Sequence, residues 1–360
     1  MYNSIGNFYR TTTFGESHGY GVGAVIDGVP GRVSIDLNRI QTWLNRRKPG
    51  QSDITTPRAE SDLVISISGL QDGFTLGSPL CFMVKNQDQR PSDYSNLKDV
   101  YRPSHGDWSW EQKFNIKSSS GGGRLSARET IGRVISGAVA EQVIESLNIP
   151  LKVVAWVDSV GKLKADVSYI PSRIQVEKSL VRCPDEKASK AFYGEICLAK
   201  SEGDSLGGTI RCIIDGVPPG LGEPVFSKLE AELAKAMMSL PASRSFEIGE
   251  GIEATYMRGS EHNDSFKIAN NEIIPASNHH GGVQGGISTG LPILFRVGFK
   301  PVSTLGKEVE SVNKNKEKVV LKVNGRHDPC VLPRAVPIVE AMSYMIMLDL
   351  ILADRARRHS

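Results

Sequence analysis

Apolar residues along the chain follow two periodicities. Short blocks rich in β-branched and aromatic residues, closed by Gly, Asp, Ser or Pro, predict strands at 22–29, 63–68, 80–84 and 292–297. Elsewhere the spacing turns helical. Asp36 is placed to cap a helix reaching Arg47, with Ile40, Trp43, Leu44 and Arg47 on one side. Ser126-Ala127-Arg128-Glu129 has the form of a capping box, and Ile131, Val134, Ile135, Ala138 and Val139 follow at helical spacing. A further helix is expected over about 225–240. A last one follows Pro337 and ends in Arg355, Arg357 and Arg358, cations suited to a helix C-terminus. The polar stretch 306–322 predicts a solvated hairpin. Strands and helices intermixed in this way predict an α/β (α+β) fold.

The chain also matches itself. Residues 15–30 and 203–218 are identical at eight of sixteen positions, including the run Ile-Asp-Gly-Val-Pro at 26–30 and 214–218. A second pair, 73–84 and 286–297, shares Gly73/Gly286, Gly77/Gly290, Pro79/Pro292, Phe82/Phe295 and Val84/Val297 in the same order. Such order implies a duplication. The expected architecture is a pseudo-twofold β-α-β sandwich, one domain over 1–360 with internally repeated segments at 15–84 and 203–297.

Composition narrows the function. The 360 residues hold 43 Lys+Arg against 40 Asp+Glu, and this near-neutral balance disfavours a dedicated nucleic-acid binder. A hydrophobic share of 39% with 36 glycines is that of a globular protein, with glycine above the usual share of about 7%. The N-terminal stretch has no charged n-region or apolar h-region, so no signal peptide is expected. The most apolar segment, 338–353, is interrupted by Glu340 and Asp349 and is short for a span of about 20 residues, so no membrane association is expected. Five cysteines without a C-x-x-C pair fit small buried residues in a reducing cytoplasm rather than disulfides or a thiolate metal site.

Candidate chemistry concentrates in a few strings. From Ser118 to Thr130 the chain reads S-S-S-G-G-G-R-L-S-A-R-E-T. Three glycines before a helix let N–H groups converge on a phosphate, and Arg124 and Arg128 add forked donors for phosphate or carboxylate. Neither nucleotide-binding glycine motif is matched. Basic clusters lie at Arg46-Arg47-Lys48, with Arg58 downstream, and at Arg326-His327-Asp328. His18, in Gly-Glu-Ser-His-Gly, and His105, in Arg-Pro-Ser-His-Gly-Asp, carry imidazoles, the side-chain type that suits general acids or hydrogen-bonded structural roles. His279-His280 before two glycines suits a loop against a cofactor. No two histidines share the i,i+4 spacing of a helix-face metal site, and no G-x-S-x-G occurs at Ser17. The residues imply a pocket of Arg, Gly and His for a small polyanion and leave the reaction open. A non-catalytic polyanion or flavin binder and a metal-dependent phosphatase remain alternatives at this point.

The same strings carry a resemblance. Phe14-Gly-Glu-Ser-His-Gly19, Arg46-Arg-Lys-Pro-Gly50, Arg102-Pro-Ser-His-Gly-Asp107 and Gly121-Gly-Gly-Arg-Leu-Ser-Ala-Arg-Glu-Thr130 come first. Glu202-Gly-Asp-Ser205, Gly220-Leu-Gly-Glu-Pro-Val225, Ser277-Asn-His-His-Gly-Gly282, Gly285-Gly-Ile-Ser288 and Gly325-Arg-His-Asp-Pro-Cys330 follow. In this order, and over nearly the whole chain, it resembles the chorismate synthase family. The resemblance implies a lyase that converts 5-enolpyruvylshikimate 3-phosphate to chorismate and phosphate by 1,4-anti elimination, the last step of the shikimate pathway. It implies reduced FMN as cofactor, with NADPH or a separate flavin reductase as the source of electrons, and a cytoplasmic homotetramer. By residue, it implies catalytic roles for His18, His105 and Asp328. It implies FMN contacts at Arg124, Leu125, Ser126, Pro241, Ala242, Gly285, Lys300, Pro301, Val302, Ser303, Thr304 and Arg326. Arg47 matches a position for NADPH or substrate anions, and Arg128 a substrate-side arginine. Three positions depart from the pattern: Asp53 stands where a basic residue is usual, Leu125 is larger than usual, and Gly106 replaces a common Ala.

Overall fold

The computed structural model describes residues 2–51, 54, 60–87, 99–117, 120–269, 271–321 and 328–357. Period-two burial marks some strands, while Gly21–Asp27 and Lys152–Val160 are buried almost throughout. In Leu80–Lys85, Leu80, Phe82 and Val84 are buried while Cys81 and Met83 point outward. The first sheet holds β1 (Ser4–Ile5), β2 (Arg10–Gly15), β3 (Gly21–Asp27), β4 (Val64–Ser68) and β5 (Leu80–Lys85) in the order β1-β2-β3-β5-β4. The second holds β6 (Lys152–Val160), β7 (Leu163–Lys164), β8 (Gly208–Asp215), β9 (Ser243–Ile248) and β10 (Ile293–Phe299) in the order β7-β6-β8-β10-β9. All neighbours run antiparallel.

Besides the short helices Arg173–Glu177 and Gly259–His262, the frame among the described residues is completed by α1 (Leu37–Arg47), α2 (Asp107–Phe114), α3 (Thr130–Ser146), α4 (Glu186–Ser201), α5 (Leu229–Met238) and α6 (Leu332–Arg357). α1 lies between β3 and β4 in the chain, as α5 lies between β8 and β9; α3 follows β5, as α6 follows β10. With β1, β7, α2 and α4 set aside as additions, each half runs β-β-α-β-β-α. The matching segments also pair alike: Val22↔Val84, Ala24↔Phe82 and Ile26↔Leu80 in one sheet, Ile210↔Val297, Cys212↔Phe295 and Ile214↔Ile293 in the other. All twelve side chains are buried. α3 packs on β3, α6 packs on β6 and β8, and the two helices pack on each other, giving a sheet–helices–sheet sandwich.

Glycine permits this middle layer. A Cβ at Gly137 of α3 would lie 2.4 Å from Ala341 Cα of α6, and one at Gly132 would lie 2.5 Å from the Gly23 carbonyl of β3.

α1 forms as expected, capped by Asp36, whose side chain accepts from Asn38 N–H, with Ile40, Trp43, Leu44 and Arg47 buried. The 306–322 hairpin is present as paired strands Val309–Val312 and Lys318–Leu321. Four expectations need correction. The capping box does not form: Ser126 Oγ accepts from Arg128 N–H in a 3-10 turn (Ala127–Glu129), and α3 starts at Thr130. Glu129 is engaged elsewhere, accepting from Thr13 Oγ1 at 2.7 Å and Arg133 Nε at 2.9 Å. α5 begins at Leu229 rather than near Val225, since Glu223 N–H bonds the Ser227 carbonyl in a turn. α6 begins five residues before Pro337 and runs through it. A proline cannot donate to the carbonyl four residues back, and here Arg182 Nη1 donates to that Pro333 carbonyl instead. Finally, all five cysteines are free, but Cys81 and Cys197 are only half-buried.

α6 is long and apolar enough, by length and composition alone, to cross a membrane, yet 94% of its most apolar window is buried within the protein. The two buried acids of the helix are satisfied there. Glu340 accepts from Ala155 N–H at 3.0 Å and Arg46 Nη1 at 2.6 Å, and Asp349 Oδ1 accepts the N–H groups of Asn7, Phe8 and Tyr9 at 2.8, 2.6 and 2.8 Å.

Candidate active site

His18 lies in the loop 16–20 between β2 and β3. The loop closes through Gly19 N–H on the Glu16 carbonyl, and Ser17 Oγ lies 3.1 Å from His18 Nδ1. Asn86, one residue past β5, donates its amide to the Glu16 and Gly19 carbonyls at 3.0 and 2.7 Å, gripping the loop on both sides of the imidazole. Arg124 supports the same loop from below, donating to Thr13 Oγ1 at 2.8 Å and the Gly15 carbonyl at 3.4 Å.

Behind Asn86 runs a buried chain of charges. Arg128 Nε donates to Asn86 Oδ1, and its Nη1 lies 3.0 Å from Asp62 Oδ1, with Glu60 at 3.5 Å. Asp62 Oδ2 accepts from Arg47 Nη2 at 2.6 Å. Burial pushes the Arg47 guanidinium down to about 10; Asp62 opposes this while the Arg334 and Arg128 cations add to it. For Asp62, burial raises the carboxyl but the charges and hydrogen bonds of Arg47 and Arg128 outweigh it, so it stays below the usual carboxylate range. Arg334, in the first turn of α6, donates to the Arg47 carbonyl at 3.3 Å and pairs with Asp328. Asp328 is therefore wired to the His18 loop.

His105 sits in a turn closed by its N–H on the Arg102 carbonyl, with Ser104 at φ 58°. Asp107 opens α2 and takes two hydrogen bonds from Arg102. The Ser104 carbonyl accepts from Lys300 Nζ at 3.1 Å and Ser303 Oγ at 2.8 Å, across some two hundred residues of sequence. Lys300 N–H in turn bonds the Ala242 carbonyl, and Ala242 holds φ 67°. Burial lowers the Lys300 ammonium, and the neighbouring Arg244 cation lowers it further. Ser205 Oγ donates to the Val302 carbonyl at 2.8 Å, and Leu206 N–H to the Pro329 carbonyl at 2.8 Å, so segment 205–206 joins the 300–304 strap to the Asp328 segment.

The His105 turn, Ala242, Lys300 and Ser303 are thus joined directly, with Asp328 reached through Ser205-Leu206. The His18 loop, Arg124 and Arg128 form a second group, which meets the first where Gly106 approaches Leu125. Arg47 lies behind that second group, 1% exposed. Gly285 stands apart, in the hairpin formed by Val283–Gln284 and Ile287–Ser288. The next residue, Gly286, accepts from Leu229 N–H at the start of α5, and Pro241 lies beyond that helix's far end, about 15 Å along its axis. Arg326 lies outside the described residues, as do Asp53, Arg58, His327, Arg358 and His359. Among the described residues no group of three or more His, Cys, Asp or Glu is arranged to hold a metal.

The two unusual residues Leu125 and Gly106 meet. A Cβ at Gly106 would lie 3.0 Å from Leu125 Cδ1, so the larger side chain fills the space that an alanine would need. Gly106→Ala is expected to cost about 1–2 kcal/mol by overpacking, with Leu125→Ala restoring part of it. Urea denaturation of the two single variants and the double variant checks this, and strictly additive losses would contradict it.

Asp62, Asn86, Arg102, Asp107 and Arg334 carry the site's geometry, although the sequence reading gives none of them a catalytic or binding role. Arg102 and Asp107 had a signal, since both bracket His105 in one six-residue string. Asp62 and Asn86 had none, because strand-end positions acquire partners only when β4 and β5 pair.

Two imidazoles near well-buried arginines, together with the neighbouring cations Lys300 and Arg244, suit the binding of a small anionic molecule. Comparison with known proteins is specific. The chorismate synthase family model matches residues 9–352. Chorismate synthases of Prochlorococcus marinus strains AS9601 and MIT 9312 are 49% and 50% identical over 360 residues, spanning 99% of this chain and 98% of each relative. A crystal structure of chorismate synthase superposes with a TM-score of 0.75 at 29% identity, covering 97% of this chain and 93% of that one. The chain belongs to the chorismate synthase family and is a lyase.

Proposed function

We propose that the chain eliminates phosphate from 5-enolpyruvylshikimate 3-phosphate in a 1,4-anti sense to give chorismate, with reduced FMN as cofactor. Besides family membership, one observation carries this reading. Lys300 and Ser303, matched to FMN contacts, hold the carbonyl next to His105, matched to a functional histidine. Segments assigned separately to cofactor and to catalysis are therefore in direct contact.

The residues fit a flavin phosphate. Lys300 and Arg244 are neighbouring cations, and the negative charge of an added phosphate would offset the burial and the repulsion that lower Lys300. When bound, reduced FMN supplies electron density that favours departure of an allylic phosphate and a nitrogen able to take up the hydrogen lost from C6. The protein does the rest. His18 and His105 are proton donors, one toward the leaving phosphate and the other toward the flavin ring. Asp328 holds or accepts a proton on the flavin side, kept in place by Arg334. Arg128 and Arg47, matched to anion-binding positions, stand behind the His18 loop paired with Asp62 and Glu60, and through Asn86 they hold that loop in place for a substrate with phosphate and carboxylates. NADPH or a separate reductase supplies the electrons, and a cytoplasmic homotetramer is the assembly this reading carries.

Under anaerobic conditions, substrate with reduced FMN is expected to release phosphate and chorismate one for one, and oxidised FMN to give none. Full turnover without flavin would overturn the proposal. His105→Ala and Asp328→Asn are each expected to lower kcat by about 100-fold or more while leaving FMN affinity nearly unchanged. Loss of flavin binding as the main effect would contradict their assigned roles.

A further inference from the structure

We propose that Arg102 and Asp107 are positioning residues that hold the neutral imidazole of His105 in its Nδ1–H tautomer, leaving Nε2 as the nitrogen presented to the reacting molecules. This rests on the placement of His105 in the site proposed above.

Three observations lead to it. Arg102 Nε lies 2.6 Å from Asp107 Oδ2 and its Nη2 lies 2.8 Å from Oδ1, so the guanidinium fork fixes the carboxylate. Asp107 Oδ1 lies 2.9 Å from His105 Nδ1, which is buried; the pair is close but poorly aligned, as catalytic pairs without ligand often are. On the opposite side, a Cβ at Gly122 would lie 3.3 Å from Cε1 and 3.5 Å from Nε2 of the ring, so that edge faces the glycine turn where only hydrogen leaves it open.

Proton accounting then decides the tautomer. Burial raises Asp107, but hydrogen bonds and charge from Arg102 and His105 bring its carboxyl far below the usual range, so it is ionised at neutral pH. An ionised carboxylate only accepts, and an arginine only donates. The ring nitrogen facing Oδ1 therefore carries the hydrogen. Nε2 is left with its lone pair in the neutral ring and is the donor when the ring is charged.

Asp107→Asn tests this sharply. Arg102 still needs an acceptor, so the amide oxygen of the new side chain turns toward it and the NH2 group toward Nδ1. Nδ1 must then accept, and the ring is forced into the Nε2–H tautomer. Nitrogen-15 NMR of histidine-labelled protein, with the His105 signal identified by its loss in His105→Gln, is expected to show protonated Nδ1 in the native protein. In Asp107→Asn the two nitrogens should exchange shift classes. kcat is expected to fall on the order of 100-fold with little change in KM. Arg102→Lys, which keeps the charge but loses the fork, is expected to give a mixture of tautomers and an intermediate kcat; it decides the matter should Asp107→Asn fail to fold. An unchanged Nδ1–H signal in the folded variant overturns the proposal. A tautomer exchange in a protein whose native form lacks the lyase reaction would refute the proposed function and leave this inference standing.

Discussion

Gly137→Leu is expected to leave no stably folded protein. The helix pair at the centre of the sandwich meets at this residue, where a Cβ would be 2.4 Å from the Ala341 Cα and 2.6 Å from its carbonyl oxygen. Both obstacles are backbone, so no side chain can swing aside. α3 cannot retreat either, because Gly132, one and a half turns earlier, already touches the Gly23 carbonyl of β3. Overpacking typically costs about 1–3 kcal/mol when side chains can adjust, and a backbone clash caught between two neighbours exceeds that range. Net stability of a domain is only about 5–15 kcal/mol. The control is Gly194 in α4, whose Cβ would meet nothing within 4 Å. Gly194→Ala is expected to stabilise by about 0.5–1 kcal/mol through helix propensity. Circular dichroism melting of the two variants separates the cases. A Gly137→Leu protein that melts with the native one would show that the helices do not approach so closely.

Local patterns were enough for elements whose partners lie nearby. α1 was legible because Asp36 caps it and its apolar stripe needs only one face, β5 and β10 because alternation survives in them, and β3 because its apolar run is closed by Asp27 and Gly28. The matching of β3 with β8 and of β5 with β10 was legible too, down to positions that turn out to pair in the same register. The failures share a cause: a long-range partner changed the local outcome. Ser126 and Glu129 have the residue types of a capping box, but Glu129 bonds Thr13 and Arg133. Pro337 reads as a helix start until Arg182, far away in sequence, serves the carbonyl that the proline leaves free. In the candidate site, the histidines, Asp328 and the glycine string stand out by type and by resemblance. The acids and amide that aim them do not, since Asp62 and Asn86 become site residues only through β4 and β5.

Asp62→Asn is expected to cost about 3–5 kcal/mol, because it leaves Arg47 and Arg128 buried without their shared counter-charge. Asp62 adopts φ 48°, which asparagine tolerates as well as aspartate, so the change removes charge without adding backbone strain. The side chain is fully buried, and nearby Glu60, 3.5 Å from Arg128, cannot replace it at Arg47 on the far side. Activity should fall further than stability alone dictates, since Arg128 holds Asn86 and Asn86 grips the His18 loop. The pH dependence has a definite sign. The folded Asp62 carboxyl lies below its unfolded value of about 3.9, so its contribution is complete above that value and is lost as pH falls toward the folded one. Native protein should therefore lose stability on acidification below about pH 4 more steeply than Asp62→Asn, by up to one proton's worth of slope. Urea denaturation at a series of acidic pH values measures that slope difference. Parallel curves would mean that Asp62 is not the ionised hub joining Arg47 to Arg128, and the wiring of Asp328 to the His18 loop would lose its central link.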